Sequence, residues 1–346
     1  MLSFKECDFV ISMRKTHGMK GKVKEMDVLA NENRTASSLE GKKFRFPLVT
    51  ASGQERAKVT LNRLRTLWFN TGSLCNITCV NCYMGSSPTN DHLEYLSLND
   101  VKRYLDEVEN EGYILEEVAF TGGEPLMNNA LPDMMTEALE RGYKVLLLTN
   151  AMKPLHHKKK HLMNINRHNS KALTIRVSLD HFTQEGHESM RGRDTWNTVM
   201  GGLHWLTKNN FNVTIAGRAC WSESEVQARQ GYANLFKREG FAVDAYDPAH
   251  LVLFPEMDLA VDVPEISVEC WDILGVNPES LMCATSRMVV KKKGAEAPTV
   301  MPCTLLPYDS KFDMGIKLSE SIHPVRLNHP YCAKFCVLGG ASCTHG

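Results

Sequence analysis

Three cysteines that lie within eight residues form the strongest candidate for metal chemistry in the chain. Cys75, Cys79 and Cys82 have the spacing C-x3-C-x2-C. Thiolates this close together hold either zinc or an iron–sulfur cluster. A [4Fe–4S] cluster ordinarily takes four thiolates, so three would leave one iron open to another ligand. Structural zinc would need further ligands from elsewhere, and the three cysteines alone leave both alternatives open.

A second group of cysteines lies near the end of the chain. It comprises Cys283, Cys303, Cys332, Cys336 and Cys343. Residues 276–346 also contain six prolines and no steady hydrophobic period, which is typical of a small irregular module held together by metal. Five thiols suffice for one four-cysteine cluster but not for two, and zinc is the alternative metal.

The residues between the two groups predict the elements that must position them. From residue 64, short apolar runs alternate with longer segments of helical period, a pattern typical of βα units and a parallel sheet. The first five predicted strands are Thr66–Phe69, Val118–Phe120, Val145–Leu148, Leu173–Val177 and Val213–Ile215. The sixth is either Ala242–Tyr246 or Leu251–Phe254. Six such units predict an α/β fold, a partial (β/α)6 barrel followed by a small irregular cysteine-rich module.

Local capping signals predict several helix boundaries. Ser97 is a candidate N-cap for a helix near Leu98–Glu111. The buried stripe of that helix is predicted to be Val101, Tyr104, Leu105 and Val108. Gly142 is expected to end the next helix, and Ser222 with Glu225 has the spacing of a capping box.

Small and polar residues follow the predicted strands. The loops at the carboxyl ends of barrel strands build the active site in such folds, so these residues are the binding candidates. The second strand ends in the run Thr-Gly-Gly-Glu-Pro, which contains Gly122, Gly123 and Glu124. Later strand ends carry Asn150, Ser178, Asp180 and Arg218.

Length and composition suggest the domain organisation and exclude some classes of protein. We expect an N-terminal extension over residues 1–60, the barrel over 61–262 and the cysteine-rich module over 263–346. Forty acidic residues balance 40 lysines and arginines, which argues against a nucleic-acid-binding surface. No apolar run approaches a signal-peptide core or the roughly 18 residues of a membrane span. We therefore expect a cytoplasmic protein with no membrane partner. The charge runs Lys291–Lys293 and His156–His161 are expected to be solvated faces.

The order of these motifs resembles that of the radical S-adenosylmethionine (SAM) enzymes. The resemblance covers about residues 64–255, and it rests on the three cysteines followed by Tyr83 and on the Gly-Gly-Glu-Pro run. It implies that Cys75, Cys79 and Cys82 hold three irons of a [4Fe–4S] cluster while SAM chelates the fourth. It further implies that the reduced cluster cleaves SAM to a 5′-deoxyadenosyl radical, which abstracts hydrogen from the substrate. The electron would come from a donor such as flavodoxin or ferredoxin.

The same resemblance implies contacts to SAM but no catalytic residue. Glu124 would contact the SAM amino group and Arg191 the carboxylate, while glycines would let the backbone approach the ligand. The remaining candidates for contacts to SAM or substrate are Tyr83, Gly122, Gly123, Asn150, Ser178, Asp180 and Arg218. Each polar side chain could instead cap a loop.

The C-terminal cysteines resemble a truncated form of the auxiliary-cluster (SPASM/twitch) extension of peptide-modifying radical SAM enzymes. They depart from its pattern, because C-x3-C-x6-C stands where C-x2-C-x5-C-x3-C is expected. The resemblance implies one auxiliary [4Fe–4S] cluster and a peptide or protein substrate in a maturation pathway. The alternatives are rearrangement of a small molecule or nucleotide, and a non-catalytic iron–sulfur or zinc protein.

Overall fold

The computed structural model describes residues 43–340 apart from 220, 257 and 259. Its strands are β1 (Lys58–Val59), β2 (Thr66–Asn70), β3 (Glu117–Thr121), β4 (Lys144–Thr149), β5 (Leu173–Ser178), β6 (Asn212–Ala219), β7 (Leu251–Pro255), β8 (Ser286–Val290), β9 (Thr299–Met301) and β10 (Val325–Arg326). Its α-helices are α1 (Leu98–Asn110), α2 (Leu131–Glu140), α3 (Lys153–Asn169), α4 (Gln184–Arg191), α5 (Thr195–Lys208), α6 (Glu225–Glu239) and α7 (Cys270–Leu274). A π-helix spans Cys332–Leu338.

Six parallel strands form the centre of the molecule. In the eight-stranded sheet, β2 to β7 lie in chain order, and β8 joins the far side of β2 in parallel. Strand β9 then pairs antiparallel with β8. Helices connect the successive strands β2 to β7, as parallel pairing requires. The predicted α/β fold with a partial barrel is confirmed.

Helix α1 shows why the sequence folds this way locally. Its predicted stripe is buried against the sheet. The Ser97 hydroxyl accepts a hydrogen bond from the backbone N–H of Asp100, whose carboxylate accepts one from the Ser97 N–H, so the predicted N-cap is confirmed. The predicted capping box of Ser222 and Glu225 was wrong. Ser224 caps α6 instead, because its hydroxyl reaches the N–H of Gln227, whose side chain bonds back to Ser224.

The sixth barrel strand is Leu251–Pro255, the second of the two predicted alternatives. Its first residue, Leu251, pairs with Ile215 of β6. The other segment does not form a strand, because the carboxylate of Asp244 accepts a hydrogen bond from the backbone N–H of Tyr246 at 2.8 Å. Such a local bond closes a turn and competes with strand pairing.

The described end of the N-terminal segment packs against the C-terminal segment. Strand β1 pairs antiparallel with β10. Arg56 and Glu265 form an ion pair in which both side chains are fully buried. The Arg56 guanidinium also donates to the carbonyl oxygens of Phe46, Val49 and Leu327. These contacts join two segments that the sequence assigned to different units, residues 1–60 and residues 263–346.

The charge runs differ in their surroundings. Each lysine of Lys291–Lys293 pairs with a carboxylate, and the partners are Glu94, Asp313 and Asp91. The run therefore ties the end of β8 to the residues before α1 and to Asp313 after β9, rather than being only a solvated face. His156–His161 lies in α3, where Lys159 sits over the ring of Trp205 at 5.0 Å. Among the described helices, none combines the length and apolar character needed to cross a membrane.

Candidate active site

A cavity opens at the carboxyl ends of the barrel strands. It contains about 1020 Å³ of space between protein atoms, with its open mouth included. The predicted site residues that line it are Cys75, Cys79, Cys82, Tyr83, Gly122, Gly123, Asn150, Ser178, Asp180, Arg191 and Arg218. The sequence order of the strands thus brings side chains from five loops to one place.

The three cysteines lie in a loop that follows β2. Burial raises the pKa of Cys75 to about 12 and also raises the pKa of Cys79. Metals bind the thiolate, so a bound cation would have to displace these protons. Asn150 lies beside the loop, with Nδ2 at 3.9 Å from the Cys75 sulfur and 2.9 Å from Oδ1 of Asn76.

Gly122 and Gly123 let two loops pack closely. A Cβ atom at Gly123 would lie 2.2 Å from the carbonyl oxygen of Leu74, and one at Gly122 would lie 2.6 Å from that of Gly72. The N–H of Gly123 donates to Gly72 O at 2.8 Å, and the N–H of Glu124 donates to Leu74 O at 3.0 Å. The sequence suggested that these glycines make room for a ligand. The chain's own cysteine loop lies closest to them.

Glu124 lies outside the lining of the cavity and is 2% exposed. Its Oε1 accepts hydrogen bonds from the Thr149 hydroxyl at 2.8 Å and from Leu126 N at 3.1 Å. Its Oε2 accepts one from Asn150 N at 2.8 Å. Burial raises the pKa of Glu124 in spite of these donors. The carboxylate fastens the end of β3 to the end of β4, and its contact with SAM remains a prediction.

Asp180 lies between two arginines on the cavity wall. Arg191 Nη2 donates to Oδ1 at 2.9 Å, and Arg218 Nε lies 3.4 Å from Oδ2. Burial of Asp180 favours its protonated form, but the charges of Arg191 and then Arg218 outweigh burial and lower the pKa. Arg218 also donates to Val80 O in the cysteine loop at 2.9 Å.

His187 supports this group and was missed from the sequence. Its Nδ1 accepts a hydrogen bond from the Asp180 N–H at 3.3 Å, and its ring is fully buried in α4. Burial lowers the pKa of His187 to about 4. The available signal was a histidine at an inward-facing position of a helix. The start of that helix, at Thr183, is readable from the sequence.

The residues present fit a cluster and a ligand that carries a carboxylate. Three thiols face one cavity, where a cluster needs them. Arg191 Nε is buried in the cavity wall and has no hydrogen-bond partner within residues 43–340 as described. A guanidinium binds a carboxylate through paired donors, so this remaining N–H suits the predicted contact.

A second, smaller cavity collects four of the five C-terminal cysteines. Cys283, Cys303, Cys332 and Cys336 line it together with apolar side chains, while Cys343 lies outside the described residues. Burial raises the pKa of Cys283 to about 11 and that of Cys332 well above its ordinary value. In the described part of the chain, no three His, Cys, Asp or Glu side chains are close enough to hold a single metal ion.

The two cavities share a wall. Leu305 lines both of them, and it is 4% exposed. Phe335, between two cysteines of the smaller cavity, lines the larger one and packs on Phe254 of β7 with ring centroids 5.3 Å apart. Sequence reasoning missed both residues, because they are ordinary apolar side chains whose role depends on tertiary contacts.

Comparisons with known proteins identify the kind of domain that holds this site. The family model of the radical SAM superfamily matches residues 69–219. The subtilosin biosynthesis protein AlbA of Bacillus subtilis is 26% identical over 145 residues, which are 42% of this chain and 30% of AlbA. The GTP 3′,8-cyclase of Synechocystis is 26% identical over 153 residues, which are 44% of this chain and 45% of the cyclase. The chain thus spans less than half of these relatives.

A solved structure shares the fold over most of the chain. SuiB of Streptococcus suis, bound to its precursor peptide SuiA, superposes with a TM-score of 0.53 and 11% identity. The match covers 89% of this chain and 74% of SuiB. At that identity the likeness shows a shared fold.

Proposed function

We propose that this chain, whose residues 69–219 match the radical SAM superfamily model, is a radical SAM enzyme whose substrate is a peptide or protein in a maturation pathway. The family implies a [4Fe–4S] cluster and SAM, and its enzymes need an electron donor. When bound, the cluster and SAM supply a 5′-deoxyadenosyl radical that abstracts hydrogen from substrate. Flavodoxin or ferredoxin is the donor that we propose.

We assign the roles of the chain's own residues from their contacts. Cys75, Cys79 and Cys82 hold the cluster, and Arg191 binds the SAM carboxylate through its remaining N–H. Asp180 orients Arg191 and neutralises part of its charge. Glu124 holds the neighbouring strand ends in place, so that Asn150 stays beside the cysteine loop.

The smaller cavity is the proposed site of one auxiliary [4Fe–4S] cluster. Its four thiols are enough for the four irons. Zinc is the alternative metal for these four thiols.

Metal analysis of anaerobically reconstituted protein tests this assignment. Replacing Cys75, Cys79 and Cys82 with alanine should leave about four irons per chain, and adding Cys303→Ala should lower that number further. Zinc in place of iron, or no metal after the first three changes, would contradict an auxiliary cluster.

The shared wall is the observation that supports a large substrate. Leu305 and Phe335 come from the cysteine-rich module, so a substrate in the barrel cavity also contacts that module. The likeness to AlbA and to SuiB, which binds a precursor peptide, supports a peptide. The second candidate is a nucleotide or other small molecule, which the likeness to the GTP cyclase favours.

Two assays test the proposal in turn. Reduced protein with SAM should release 5′-deoxyadenosine, and Cys79→Ala should abolish that release; no product from fully reconstituted protein would refute the reaction itself. Peptides encoded beside the gene should then increase 5′-deoxyadenosine formation and change in mass, whereas GTP should do neither. Consumption of GTP, with every peptide unchanged, would favour the second candidate.

A further inference from the structure

Arg287 is a fully buried arginine in β8, beside the four-cysteine cavity. Its Nε donates to Ser321 O at 2.9 Å. Its Nη1 donates to the carbonyl oxygens of Cys283 at 2.7 Å and Ser286 at 2.8 Å. Its Nη2 is buried and has no hydrogen-bond partner among the described residues. Two nitrogen atoms of the guanidinium, Nε and Nη1, thus bind backbone carbonyl groups, including that of Cys283. The third nitrogen, Nη2, is left without a partner among the described residues.

In the part of the chain that the structure describes, no carboxylate pairs with the charge of Arg287. The groups within electrostatic reach that can become anionic are Cys283, Cys303 and Tyr113. Arg56, which is equally buried, has Glu265 as its partner. A buried charge is costly unless an opposite charge lies close by.

An iron–sulfur cluster on four thiolates would supply that opposite charge. Such a cluster is a net anion, and its negative charge grows when it accepts an electron. A fixed cation beside it therefore stabilises the reduced form more than the oxidised form. Charge and hydrogen bonds near the sulfur atoms are known determinants of cluster potential.

We propose that Arg287 is a positioning residue that compensates the charge of the auxiliary cluster and raises its reduction potential. This inference rests on the proposed auxiliary cluster at Cys283, Cys303, Cys332 and Cys336. A purely structural role would need only the bonds to the three carbonyl groups, which leaves both the buried charge and Nη2 unexplained.

The test compares two substitutions in the full chain that carries alanine at Cys75, Cys79 and Cys82, so that iron reports the auxiliary site alone. Arg287→Met removes the charge at similar length, and Arg287→Lys keeps it. A potentiometric titration followed by electron paramagnetic resonance measures the reduction equilibrium. We expect Arg287→Met to lower the equilibrium constant for reduction at least tenfold, which is 59 mV for one electron. Arg287→Lys should retain most of the wild-type value.

A matched control and the iron content of each variant show whether the charge of Arg287 acts on the cluster. Lys311→Met, which removes an exposed cation of the same module, is the matched control and should leave the potential unchanged. Loss of iron in Arg287→Met but not in Arg287→Lys would also support the proposal. Full iron with an unchanged potential in Arg287→Met would overturn it, and so would loss of iron in both variants, since lysine keeps the charge. If the parent chain with three alanines holds no iron, that result refutes the proposed auxiliary cluster itself, before the role of Arg287 is tested.

Discussion

Arg191 donates a hydrogen bond from Nη2 to Oδ1 of Asp180 at 2.9 Å, and the carboxylate is 2% exposed. The two residues lie 11 positions apart, at the two ends of the loop and helix that follow β5. Their pairing leaves Nε of Arg191 buried and without a hydrogen-bond partner among the described residues. The carboxylate thus sets the direction of the guanidinium.

Replacing Asp180 with alanine should destabilise the protein by about 3 to 5 kcal/mol, because Arg191 would keep a buried charge with no partner. Urea denaturation of the cluster-free chain measures this change. Asp262→Ala is the control, since Asp262 pairs with Lys43 but its side chain is 62% exposed, and it should cost less than about 1 kcal/mol. Equal effects of the two changes would contradict the proposed role of burial.

Gly123→Ala should separate the cysteine loop from the end of β3, because the new Cβ would lie 2.2 Å from Leu74 O. We expect loss of iron at Cys75, Cys79 and Cys82. We also expect about 100-fold slower release of 5′-deoxyadenosine, since a small displacement of the loop misplaces the reacting groups. Gly201→Ala in α5 meets nothing within 4 Å and should stabilise the helix by up to about 1 kcal/mol. Normal iron content in Gly123→Ala would rule out this packing argument.

Acid should destabilise the protein through His187. The pKa of His187 is about 4 in the fold because of burial, and about 6.5 for a solvated histidine. Between those pH values the unfolded chain binds a proton that the folded chain does not, so stability falls as pH decreases, by at most about 3 kcal/mol.

The variant His187→Asn tests this, because its side-chain oxygen can replace Nδ1 as the acceptor for Asp180 N–H without titrating. Unfolding free energies from pH 7 to pH 4.5 should depend less on pH in the variant. His323→Asn, at an exposed position, provides the baseline. The same pH dependence in wild type and His187→Asn would exclude His187 as the source.

Leu305→Ala should join the two cavities that this side chain separates. We expect a loss of about 2 to 5 kcal/mol in unfolding free energy, as for other buried leucines. Ile316→Ala, whose side chain is 47% exposed, should cost much less. A crystal structure of the variant with an unbroken wall between the cavities would show that neighbouring side chains had filled the space.

The features that could be predicted from the sequence are local. Ser97 and the stripe of α1 repeat at helical spacing, so periodicity and capping chemistry were enough to find them. The three cysteines and the Gly-Gly-Glu-Pro run were recognisable because their residue types and spacing are unusual. Their meeting in one cavity followed from the rule that parallel strands end at one edge.

The features that could not be predicted depend on distant contacts. Strand β8 reads only as a short apolar run, and nothing local indicates that it pairs with β2. The buried position of Glu124, outside the cavity lining, depends on Thr149 and Asn150, which belong to the next strand end. That Cys283, Cys303, Cys332 and Cys336 line one cavity likewise became apparent only from the fold.

The pairing of β2 with β8 also has a consequence for synthesis of the chain. Position 66 in β2 and its partner at 286 in β8 are 220 residues apart. At about 5 to 20 residues per second, a ribosome needs roughly 10 to 40 s to make that interval. During this time one edge of β2 has no native neighbour, and unpaired strand edges promote aggregation. A chain truncated before residue 286 would keep that edge exposed, so we expect chaperone binding during translation to end when β8 emerges.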